Sequence, residues 1–207
     1  MIFRTTIRRA AAGLAVALLA APAAVPAEAQ DRPRLEAGRD FNATYRLMGN
    51  ENQRMSMSWR AADRTLRVDM GGGPLGTGYL LHDRRTGSAR MVLPEQRMVM
   101  TLPMDMASAQ GIPIEPSANA RFVREGTETV AGLRCTNWRI EDGAHRGTAC
   151  LTDDGIMLRA RGEADGRSGG LEAVEVSVVP QDAARFQVPA GFQTMQMPAG
   201  LPGMPRR

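Results

Sequence analysis

Between Phe41 and Val179 apolar and polar positions alternate with a period of two almost throughout, the pattern of strands with one buried face. Phe41, Ala43, Tyr45 and Leu47 share one face. Met55, Met57 and Trp59 follow, interleaved with Arg54, Ser56 and Ser58; later runs are Leu66, Val68 and Met70, and Met98, Met100 and Leu102. Further strands are expected over 79–82, 91–93, 122–123, 136–140, 148–151, 156–160 and 171–179. Turns are expected at Gly49 to Asn52, Ala61 to Arg64, Thr86-Gly87, Pro94 to Gln96, Asp154-Gly155 and Ser168 to Gly170. Arg185 to Phe192 reads as a return to the core through Phe186, Val188 and Phe192.

Ten or eleven short strands with hairpin-length links and hardly any helix predict an all-β antiparallel meander. So many strands should curl into an unclosed barrel or half-barrel. The one long irregular stretch is 103–120, with Pro103, Pro113 and Pro116 and a short helix expected near Met104 to Gln110.

Residues 1–29 break this pattern and read as an export signal. Arg4, Arg8 and Arg9 precede an apolar run from Ala10 to Val25, and Ala27-Glu28-Ala29 supplies a cleavage pattern that leaves Gln30 first. The run is interrupted by Pro22 and Pro26 and is too short for a membrane span, so no transmembrane segment is expected in the mature chain. The organisation read from the sequence is a signal peptide over 1–29, one β-rich domain over 30–194, and a disordered tail over 195–207 rich in Pro and Gly.

Residues 1–29 hold three Arg and one Glu, so the remainder carries a formal charge of +2 against +4 for the whole chain. All 26 basic residues are Arg, but they are dispersed among acids without the clustered stripe that nucleic acid requires, so no nucleic-acid partner is expected.

Cys135 and Cys150 are the only cysteines, and in an exported chain they are read as one disulfide. Asp142-Gly143 between them favours a tight hairpin. A turn centred on that dipeptide places Cys135 directly opposite Cys150, at ~4.5 or ~5.5 Å between Cα atoms depending on loop length, both bridgeable. Alternation then puts the bridge on the polar face with Asn137 and Arg139, and turns Trp138 inward.

Signals for chemistry are weak. Gly71-Gly72-Gly73-Pro74-Leu75-Gly76 satisfies G-x-G-x-x-G, but Pro74 and the β-like run after it favour an inter-strand loop over a dinucleotide site. His82 and His145 have no partner at ligand spacing, and Asp153-Asp154-Gly155 lacks the other positions of a calcium loop, so neither a metal nor a cofactor is expected. No nucleophile or acid/base pair stands out, and the chain is read as non-enzymatic.

Methionine is the unusual component: the pairs are Met55/Met57, Met98/Met100, Met104/Met106 and Met195/Met197. Strand alternation aims both members of a pair at one core, and flexible thioethers suit a surface that accepts variable apolar ligands. Thioethers are also soft ligands for cuprous ion, a minority reading for the 104/106 and 195/197 pairs.

Thr129 to Trp138, Ala149 to Gly155 and Phe186 to Phe192 resemble an exported bacterial family catalogued as domain of unknown function 4412. That family is similar to the periplasmic lipoprotein carriers, whose fold is an unclosed antiparallel barrel around an apolar cavity. The resemblance implies a periplasmic protein and binding of a lipid or lipoprotein, and it carries over no catalytic residue. Met55, Met57, Trp59, Met98 and Met100 are the candidate lining residues. The alternatives are an envelope interaction module with a filled core and a methionine-based copper-binding protein.

Overall fold

The computed structural model describes residues 32–73, 76–102, 116–143, 145–164 and 167–196. Residues 1–31, which include the stretch read as an export signal, most of the Pro-rich segment with its expected helix, and residues 197–207 lie outside them.

Alternation produces strands where expected. A first meander contains β1 (Phe41–Leu47), β2 (Asn50–Arg60), β3 (Thr65–Gly73), β4 (Gly76–Asp83), β5 (Ser88–Leu93) and β6 (Met98–Leu102). A second contains β7 (Arg121–Val130), β8 (Leu133–Asp142), β9 (His145–Leu151), β10 (Met157–Ala164) and β11 (Arg167–Ser177). A final strand, β12 (Gln193–Gln196), follows a 3-10 turn at Ala183–Phe186. The sheet order is β12-β6-β5-β4-β3-β2-β1-β11-β10-β9-β8-β7, so pairing of β1 with β11 joins the meanders into one sheet.

The fold is all-β, and the sheet does not close into a barrel. Its second half is nonetheless strongly curled. β7 touches β11, and Glu128 on β7 reaches Arg159 on β10 across two intervening strands. Three strand steps span about 14 Å in a flat sheet, too far for two side chains to bridge comfortably.

Residues directly opposite one another share a face. One face therefore runs from Leu80 through Val68, Met57 and Ala43 to Tyr45 of β1. It continues by register through Ala173 and Leu171 of β11 to Ala160, Ala149 and Trp138. The largest apolar cluster takes in the β1–β6 part; Trp138, Ala149, Phe122, Leu151 and Ala120 form a second.

Both faces are covered. The N-terminal segment contributes Leu35 to the Trp138 cluster and Ala37 to the main one. On the reverse side the C-terminal segment packs Val188 and Phe192 against Tyr79, Leu81, Val92 and Val99, then adds β12 to the edge of β6 in parallel.

Several expectations need correction. The cysteine hairpin turns immediately after Asp142, with Gly143 at φ 61°, so Asp142 pairs with His145. Glycine at the first loop position leaves Asp142 in the strand, where its carboxylate accepts from the Ser117 backbone N–H at 2.7 Å and hydroxyl at 2.6 Å. Cys150 consequently faces Asn137, and the disulfide is a diagonal bridge with Cα atoms 5.4 Å apart. Trp138 does alternate with the cysteines, but the bridge is buried within the main apolar cluster, because the curl covers its side too.

Met48-Gly49 makes the first turn, since Leu47 already pairs with Asn50. Ser168 to Gly170 belong to β11 rather than a turn, and Gly71 to Gly73 extend β3 rather than forming a loop. Strand β12 also claims Met195 and Gln196 from the stretch read as disordered.

Candidate functional site

All five candidate lining residues fall on one face. Met57 lies between Ala43 and Val68, and Trp59 between Phe41 and Leu66; Met55 lies between Tyr45 and Met70. Met98 is opposite Leu93 and Met100 is opposite Met91, which stands opposite Leu80. Alternation therefore assembles a sulfur-rich face, with β3, β4 and β5 between β2 and β6.

The five differ in what remains free. Met57 and Trp59 are buried, whereas Met55, Met98 and Met100 are half-buried at the margin of the main cluster. The Trp59 indole N–H donates to the Ala37 carbonyl at 2.9 Å, so the chain's own N-terminal segment caps the ring. That segment is pinned at several points. Gly38 N–H donates to the Asp154 carbonyl, Arg39 pairs with the Asp154 carboxylate at 2.6 Å, and Arg64 forms a fork with Glu36. The Asp153–Gly155 stretch is thus a turn whose carboxylate serves an arginine and the Thr152 hydroxyl.

The face is electrically quiet. His82, alongside Leu66 and Ala89, is buried; desolvation, reinforced by nearby Arg84, pushes its pKa below the ordinary value and leaves it neutral at pH 7. Tyr45 is raised well above the ordinary phenol value by burial, and its hydroxyl donates to the Met157 carbonyl at 2.7 Å.

Charge is concentrated on the cysteine side. Arg159 makes a bidentate bond to Glu128, at 2.7 Å on both nitrogens, and a 2.8 Å bond to Glu172, which also accepts from Arg46 at 3.1 Å. The Arg159 guanidinium holds the Glu128 carboxyl below its usual range, and Glu128 raises Arg159 in return. Glu128, Cys135 and Cys150 place ligand atoms within 4.8 Å of one another, but the bonded sulfurs offer no thiolate and the carboxylate is taken by arginine. An open groove of about 620 Å³ lies farther along, lined by Arg139, Arg146, Arg161, Glu141, Glu163 and glycines of β9 to β11. A second, of about 550 Å³, runs beneath the N-terminal segment beside Trp59 and Arg64.

Ser58 is a fully buried hydroxyl, yet it accepts from the Asn42 amide at 2.7 Å and from Arg185 at 3.3 Å, neither of which can take its proton. Sequence reasoning missed Met91 as a member of the face, although its place in an alternating run was the available signal. It also missed the capping role of Leu35 and Ala37, which no periodicity marks.

Among curated proteins nothing matches the chain. Solved structures similar to it include an uncharacterized conserved protein from Thermus thermophilus, 14% identical, covering 77% of this chain and 91% of that one at a TM-score of 0.51. MucB is similar at 14% identity and a TM-score of 0.52 over 77% of this chain, which spans only 60% of MucB. A Pseudomonas aeruginosa MucA/MucB complex is similar at 15% identity over 78% of this chain and 59% of that one, with a TM-score of 0.51. These likenesses are of fold. The model of a domain of unknown function, DUF4412, matches residues 42–156, more than half of the sequence, and the chain belongs to that family.

Proposed function

We propose that this chain is a non-enzymatic protein of the periplasm that holds an apolar ligand, a lipid or a lipidated partner against its methionine face. The observation that carries the reading is the placement of half-buried Met55, Met98 and Met100 on the face whose buried part includes Met57 and Trp59. Partly covered thioethers are adaptable contact groups that accept acyl chains of differing shape. The disulfide supports an oxidising compartment, and the export signal read in residues 1–29 supports the envelope.

A second reading, an interaction module with a filled interior, is favoured by one observation. The N-terminal segment already occupies Trp59, so that part of the face serves the protein itself. A neighbour of similar fold having been solved as a MucA/MucB complex adds support for a protein partner. Native mass spectrometry of protein purified from its own envelope separates the two. Co-purifying lipid or acylated protein is expected. A bare polypeptide mass in every preparation overturns the ligand-holding reading and leaves the interaction module.

A further inference from the structure

β6 sits between β5 and β12, and each neighbour offers it a methionine. Met100 is directly opposite Met91 on β5 and directly opposite Met195 on β12. Met98, two residues earlier on β6, shares the face of Met100. The side taken by β12 is fixed independently. Phe192, just before the strand, packs against the Tyr79, Leu81, Val92 and Val99 cluster of the reverse face, and the register then sets Gln193 and Met195 beside Met98 and Met100 on the methionine face.

Neighbouring strands lie about 4.8 Å apart and alternate residues of one strand about 7 Å apart. Met98, Met100 and Met195 therefore form a triangle whose sides three flexible thioether arms can close to one point. Exposure is graded across this row: Met91 is buried, Met98 and Met100 are half-buried, and Met195 is 51% exposed. Burial accounts for Met91. It does not account for Met195, which is exposed on an edge strand directly opposite half-buried Met100.

A thioether is a soft, uncharged donor that does not protonate in the ordinary pH range, and it selects soft monovalent metal over calcium, magnesium or zinc. Among the described residues, the cysteine and histidine donors are spent or placed elsewhere. Both cysteines are in the disulfide, His82 is buried on β4, and His145 stands at the turn between β8 and β9. From this geometry we infer that Met98, Met100 and Met195 form a three-thioether site for a soft monovalent cation of the cuprous type. The inference does not depend on the apolar-ligand reading, because a metal and an acyl chain are detected separately.

Silver(I) is the first probe, since it needs no reductant and leaves the disulfide intact; cuprous ion under ascorbate, in competition with a chromophoric chelator, is the second. The intact exported protein is expected to take up one equivalent of each. Met100→Leu and Met195→Leu, near-isosteric changes that keep the fold, should each weaken uptake at least tenfold. A triple variant carrying Met104→Leu, Met106→Leu and Met197→Leu should bind as the parent does. No uptake by the parent, undiminished uptake by Met195→Leu in a protein with the parent's circular dichroism, or loss of uptake in the triple variant each overturns the site.

Discussion

Tyr45 shows how tightly single residues are committed in this sheet. Its ring is buried between the two meanders, and its hydroxyl satisfies the carbonyl of Met157, at the start of β10. Tyr45→Phe keeps the ring but removes this part-buried hydrogen bond, and it should cost about 1 kcal/mol in urea unfolding. A loss under about 0.3 kcal/mol would show that the bond contributes nothing net. The cysteines are committed in another way. Their bridge closes a loop with a sequence separation of 15, so replacing both by Ser should cost roughly 3 kcal/mol in the chain-entropy model. Denaturation of the double variant checks this, and a midpoint matching the parent contradicts it.

The strands themselves were plain in the alternation of Phe41 to Leu47 or Met98 to Leu102, whereas register was not. Asp142-Gly143 fits a hairpin turn in two frames, and the choice was made by Ser117, twenty-five residues away, whose N–H and hydroxyl need the Asp142 carboxylate. Ser168 to Gly170 looked like a turn for a similar reason: glycine serves close approach as well as bending. A Cβ at Gly170 would stand 2.6 Å from the Ala160 carbonyl oxygen and 2.8 Å from the Met48 sulfur, so glycine is needed inside β11. The ion row Glu128–Arg159–Glu172 ties β7, β10 and β11, and its pH dependence has a definite sign. The Glu128 pKa is lowered in the folded state, so its stabilisation is present above the unfolded value of about 4.3 and is lost as pH falls through the folded one. Glu128→Gln should therefore flatten the acid limb of a stability–pH curve. An unchanged limb would mean that the pair is idle. The C-terminal strap can be tested by ending the chain at Gln187. That removes Val188, Phe192 and β12, uncovers Tyr79, Leu81, Val92 and Val99, and frees the β6 edge. Self-association in light scattering is expected, and a monodisperse monomer would show that the strap is not an edge guard.

Across the whole molecule, legibility follows the range of the interactions. Period-two alternation told which side of its own strand each methionine takes, and so Met55, Met57, Trp59, Met98 and Met100 were found together. It could not tell which strands adjoin. The join of the meanders through β1 and β11, and the parallel docking of β12 that brings Met195 beside Met100, depend on contacts between distant segments. The cap on Trp59 was hidden as well, because the N-terminal segment binds through the Ala37 backbone and short ion pairs rather than a periodic face. What the half-buried methionines do decides whether this face holds a ligand. Methionine-methyl NMR of the intact protein, titrated with a short-chain phosphatidylcholine below its micelle threshold, reads this directly. Saturable shifts centred on Met55, Met98 and Met100, with Met48 and Met157 still, are the expected result; methyls that stay unmoved, or shifts confined to other methionines, would contradict it.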